Sequence, residues 1–180
     1  MFGKMILAAL LAAHVLALGA AEADLRVIPY KPDPGIAVDG NPGEWSDVPT
    51  ALVFDRVEQL TIGRSSWRGP DDLSGRVKLA WRGDGLYLLA EVVDDRFFQL
   101  KQDKDVWQGD HVELYLDAET ESDPGRREFG TGQFALLLSP GDLKTGFPKP
   151  QLVAVHPAGA STEKCTVAAA LTDRGYVLED

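Results

Sequence analysis

Residues 75–95 read GRVKLAWRGDGLYLLAEVVDD, and the period of their apolar side chains decides the fold. Val77, Leu79 and Trp81 fall on one side of an extended chain, with Arg76, Lys78 and Ala80 on the other, which is the period of a half-buried strand. Trp81 is therefore expected to be buried with Val77 and Leu79. RGDG at 82–85 supplies a glycine-rich reversal. Beyond it, LYLLAEVVDD is apolar on both faces, as suits a strand in the middle of a sheet. The segment reads as a β-hairpin.

The pattern repeats to the C-terminal side of this hairpin. Strands are predicted at 111–117, at QFALLLS (133–139), at QLVAVH (151–156), at KCTVAAAL (164–171) and at GYVLE (175–179), with Cys165 as a small core residue inside its strand. ESDPG and SPGDLKTGFPKP break the runs with the Gly, Pro and Asp that turns require. No segment has a convincing helical period, and no internal repeat is visible. Many short strands separated by breakers predict an all-β antiparallel sandwich.

The chain opens with MFGKMILAALLAAHVLALGAAEA: one early Lys, an apolar run from Ile6 to Leu18, and Ala21-Glu22-Ala23. That layout predicts an export signal over 1–23, cleaved after Ala23. The run is shorter than the roughly 20 apolar residues that span a bilayer, so no membrane span is expected after cleavage. A secreted, periplasmic or cell-surface protein follows. Residues 24–35, with three prolines in IPYKPDPG, read as an extended N-terminal segment, and 36–180 as one domain. Net charge is −10, which disfavours nucleic acid and anionic membrane as partners. A single cysteine makes no internal disulfide, so stability rests on packing.

Function turns on residues 105–119, DVWQGDHVELYLDAE. Gly109 separates Trp107 from the alternating run and places the indole on the loop before the strand. Val112, Leu114 and Leu116 define one face, while His111, Glu113, Tyr115 and Asp117 define the other. That second face is either the solvated side of a sheet or a ligand surface. Trp45, at the end of VDGNPGEW, reads as a core plug. Trp67, in a loop, reads equally as an exposed contact or a cover for the core.

Taken in order, IAVDGNPGEW (36–45), VKLAWRGDGLYLLAEVVDD (77–95), VWQGDHVELYLDAE (106–119), GQFALLLSPG (132–141) and GYVLED (175–180) resemble the family 9 carbohydrate-binding modules. The resemblance implies a DOMON-like, jelly-roll-like β-sandwich that binds poly- or oligosaccharide, commonly as an accessory to glycan degradation; glucans and xylans are the candidate polymers, and the sequence does not identify the sugar. It also implies that Trp107 forms one wall of a sugar slot and that Glu113 bonds sugar hydroxyls. A pyranose has an apolar C–H face for an aromatic ring and a hydroxyl rim for carboxylates, so the pairing has a chemical reason. Tyr115, Gln133 and Trp67 complete the candidate sugar-binding set. Two departures stand out: Ala135 occupies the position where sugar-binding members can carry an Arg, and the family's last strands, with its second aromatic wall, are expected beyond Asp180. A final strand without a neighbour would expose a sheet edge.

No cofactor is required by this reading, although the resemblance implies structural calcium. Asp94, Asp95, Asp110 and Asp117, within an acidic stretch that runs on to Glu121 and Asp123, are the candidate ligands, against the alternative of a solvated acidic rim. The chain carries no motif marking a catalytic residue, and haem would need His111 and His156 to converge. The alternatives to a binding module are an exported interaction domain that has lost its sugar site, and the N-terminal part of a glycan-active hydrolase.

Overall fold

The computed structural model describes residues 27–119 and 127–180. The proposed signal over 1–23, together with Glu121 and Asp123, lies outside them. Eight strands form two antiparallel sheets: β1 (Thr50–Phe54), β2 (Leu73–Arg82), β3 (Gly85–Asp94), β4 (Val112–Asp117), β5 (Gln133–Ser139), β6 (Gln151–His156), β7 (Ala168–Thr172) and β8 (Gly175–Glu179). One sheet has the order β1-β2-β3-β8-β7 and the other β4-β5-β6. The only helices among the described residues are short 3-10 turns. The all-β sandwich read from the sequence is the fold of the protein.

The hairpin that decided the fold is β2–β3, paired without a shift from Leu73↔Asp94 to Arg82↔Gly85. Its inward residues Val77, Leu79, Leu88, Ala90 and Val92 meet Val112 and Leu114 of β4, Leu138 of β5 and Leu152 of β6 in the inter-sheet core. Burying each such side chain stabilises the fold by roughly 1.5–3 kcal/mol. GYVLE is no edge: β8 lies between β3 and β7, and all five of its residues are buried.

The outer face of the large sheet is covered as well. Ile36, Trp45 and Val48 pack on Ala80, Leu89 and Val177, forming a second apolar layer from the segment that precedes β1. Trp45 is fully buried, as its sequence context predicted. Its indole N–H donates to Glu179 Oε1 at 2.8 Å, while the backbone N–H groups of Gly40 (2.6 Å) and Asp39 (3.1 Å) donate to Oε2. Burial pushes the Glu179 carboxyl above its usual range, and the three donors offset part of that rise. Two distant motifs, VDGNPGEW and GYVLED, are thus joined through one carboxylate.

Two expectations are corrected. Trp81 falls on the inward side of β2 by alternation but is 47% exposed and takes no part in the inter-sheet core; it packs edge-on against Tyr30, centroids 4.9 Å apart. Residues on either side of Tyr30 bond to its backbone, Lys31 N–H to Trp81 O at 3.1 Å and Trp81 N–H to Pro29 O at 3.0 Å. Cys165 is exposed, and the strand predicted over 164–171 begins only at Ala168.

Candidate functional site

The outer face of the small sheet is where the polar residues of β4 gather. Pairing sets Glu113 opposite Leu137 and Tyr115 opposite Ala135, with Val153 and His156 of β6 next in those two rows. Glu113 and His111 are not solvated: each is buried, at 8% and 1% exposure. His111 Nε2 lies 3.1 Å from Glu113 Oε1, the Tyr115 hydroxyl donates to Glu113 Oε2 at 2.6 Å, and His111 Nδ1 lies 2.8 Å from the Gly109 carbonyl. Both ring nitrogens therefore face acceptor oxygens. The His111 contact holds the Glu113 carboxyl below its usual range despite burial. Burial, and then the bond to Glu113, push the Tyr115 hydroxyl up to about 12. The result is a pre-oriented carboxylate in a row of side chains two residues apart.

Trp107 stands on a 3-10 turn, Asp103–Gln108, immediately before β4. The turn packs against β5 and β6, and Asp103 N–H donates to Gln151 Oε1 at 3.0 Å. Gln99, almost fully buried, fixes it from beneath. Its Nε2 donates to Val106 O (3.0 Å) and Asp110 O (2.8 Å), while its Oε1 accepts from Lys101 N–H (2.8 Å). Gly109 is required here by close approach, since a Cβ would come within 2.6 Å of Gln99 Oε1. Val106 is buried and the indole of Trp107 is 54% exposed. A large apolar ring is thereby held in water on a rigid support.

At the other end of β4, Phe129 stacks on Tyr115 (centroids 6.0 Å, interplanar 2°) and on His156 (4.9 Å, 18°). Gln133 anchors this loop: its Oε1 accepts from Gly130 N–H at 2.9 Å and its Nε2 donates to Asp117 Oδ2 at 2.8 Å. Both ends of its amide are thus engaged within the protein. Phe129 escaped the reading of the sequence, and His111 and His156 were named there without any link to this cluster. Phe129 lies outside any alternating run, and the adjacency of Tyr115, Ala135 and His156 exists only through strand register. The polar face of β4 was the one signal that pointed toward them.

The remaining candidates do not join this face. Trp67 packs against the inter-sheet core and its indole N–H donates to Leu73 O at 2.9 Å, so of its two readings the structure gives the cover. Asp95 is paired with Arg68, which also holds Asp72 at 2.7 Å. Asp94 accepts from Arg96 N–H at 2.8 Å, and Asp110 accepts from Phe98 N–H. Asp117 accepts from Glu119 N–H at 2.9 Å besides Gln133. Asp110 and Asp117 flank β4 at opposite ends, roughly 20 Å apart at the rise of a strand, so the four carboxylates do not fit one ion. Among the described residues no group of three or more His, Cys, Asp or Glu is placed to hold a metal.

A family model described as carbohydrate family 9 binding domain-like matches residues 39–180. No curated protein and no solved structure matches the chain.

Proposed function

This chain belongs to the carbohydrate family 9 binding domain-like family, and on that premise we propose that it is an exported, non-catalytic sugar-binding module whose first contact is Trp107. The observation that carries the reading is the exposed indole on a turn stapled by buried Gln99, next to a sheet whose outer face holds the largely buried carboxylate of Glu113. The ring offers its face to the C–H side of a pyranose, and the carboxylate, already oriented by His111 and Tyr115, accepts from sugar hydroxyls. Glucan and xylan are the proposed polymers, bound in support of glycan degradation. The leader over 1–23 directs the chain out of the cell. No helix of the described residues is long and apolar enough to cross a membrane.

The test is titration with mono- and disaccharides, together with pull-down on insoluble glucan and xylan, for the wild type and Trp107→Ala. Losing a side chain whose burial contributes roughly 1.5–3 kcal/mol weakens binding about tenfold or more. Undiminished binding by the variant places the site elsewhere. The competing reading, an interaction domain that retains the fold without the sugar site, draws on Ala135, which brings no hydrogen-bonding group to the floor of the face. It predicts no saccharide binding by either protein.

A further inference from the structure

Tyr115, Ala135 and His156 occupy one row across the small sheet, on β4, β5 and β6 in turn. Adjacent strands are about 4.8 Å apart, so the two outer rings of the row are separated by about twice that distance. A single flat ring set between them meets a stacking partner at roughly 5 Å on each side, within the 4.5–7 Å range of stacked rings. The central residue has only a methyl group, which leaves the space above β5 open to such a ring. Phe129 stacks on both outer rings, nearly parallel to each, and Ala135 between them in the row is 4% exposed. The Tyr115 wall also donates its hydroxyl to Glu113, placing a carboxylate at the lip of the slot.

We propose that Tyr115 and His156 are the walls of a second, concealed pyranose subsite, with Ala135 as its floor and Phe129 as its built-in occupant. The proposal rests on the sugar-binding reading above and extends it: Phe129 competes with a sugar ring for one slot. The residue at 135 is small, the flanking residues of the neighbouring strands are both rings, and the loop residue between them is 48% exposed and tethered through Gly130, whose N–H bonds Gln133 and whose carbonyl lies 3.3 Å from His156 Nε2. A pyranose has two faces able to pack on rings and a hydroxyl rim within reach of Glu113, so it matches the slot in shape and chemistry. A side chain as large as Arg at 135 would fill the same space.

The experiment compares saccharide titrations of the wild type, Phe129→Ala and Phe129→Leu, with melting curves to verify folding. Leucine still covers Ala135 but does not stack, so Phe129→Leu carries the test if the alanine variant unfolds. The expected result is binding at least about tenfold tighter in the Phe129 variant, abolished when Tyr115→Leu or His156→Leu is added. A folded Phe129 variant that binds no better than the wild type, while Trp107→Ala still weakens wild-type binding, overturns the concealed subsite and leaves the Trp107 reading intact. A gain that survives Trp107→Ala upholds the subsite and removes Trp107 from the site. Absence of saccharide binding by every variant overturns both.

Discussion

Replacing Glu179 by Gln changes almost no volume yet reverses the chemistry of a buried junction. All three partners of the carboxylate are donors: the Trp45 indole and the backbone N–H groups of Gly40 and Asp39. An amide has one acceptor oxygen and one donor NH2 group. In its best orientation the oxygen keeps Gly40 and Asp39, and the NH2 group is turned against the indole N–H. One bond to a charged group is lost, about 1.5–3 kcal/mol, and a donor is left buried without a partner at about 1–3 kcal/mol. Relief of the desolvated charge offsets part of this, leaving a net cost of about 2–4 kcal/mol. For a domain of this size each kcal/mol lowers Tm by about 2–4 °C, so the expected drop is about 5–15 °C. Thermal unfolding followed by near-UV circular dichroism measures it. The sharper readout is the double-mutant cycle with Trp45→Phe, which removes the opposing donor; Glu179→Gln should then cost about 1.5–3 kcal/mol less. Strict additivity of the two substitutions would refute the account of the junction.

Two further outcomes follow from the site. Gly109→Ala drives a methyl into the Gln99 amide, whose three hydrogen bonds prevent it from retreating, so stability falls by about 1–3 kcal/mol and the environment of Trp107 fluorescence changes; an unaltered emission spectrum and Tm would count against the staple. Because the Glu113 carboxyl is held below its ordinary value of 4.5, its contribution to stability is present above that value and is lost as pH falls through the lower folded value. The Tm advantage of the wild type over Glu113→Gln should therefore shrink between about pH 6 and about pH 3, and a difference constant across that range contradicts the sign.

Much of the architecture was legible because period-two alternation reports directly which side of a strand is covered. The β2–β3 hairpin, β5, β6 and β8 were read at or near their observed limits on that basis alone. Alternation does not say how far along a strand the core reaches, and Trp81 was misplaced for that reason: it lies near the end of β2, outside the inter-sheet core. Nor does it report cover contributed by an irregular segment, so the layer of Ile36, Trp45 and Val48 on Ala80 was invisible, as was the short strand β1. KCTVAAAL shows the opposite error. Its small residues satisfy a strand pattern, but the chain becomes a strand only at Ala168 and leaves Cys165 outside. At the candidate site, Gly109 marked Trp107 as a loop residue because a glycine break is a local signal. The clasp of Phe129 was hidden because it depends on three strands meeting in register, and register is a property of the assembled sheet.

Pairing between β3 and β8 also has a consequence for the order in which the protein takes shape. The β2–β3 hairpin is local and closes early, but the hydrogen-bonding edge of β3 must wait for residues 175–179, about eighty residues later in synthesis. Non-local closure of this kind slows folding. Until Glu179 arrives to receive Trp45, Gly40 and Asp39, the nascent chain presents an apolar strand with an unpaired edge. A chaperone that binds extended apolar segments during synthesis would find its substrate there, and the interval before β8 emerges is when this chain is most exposed to aggregation.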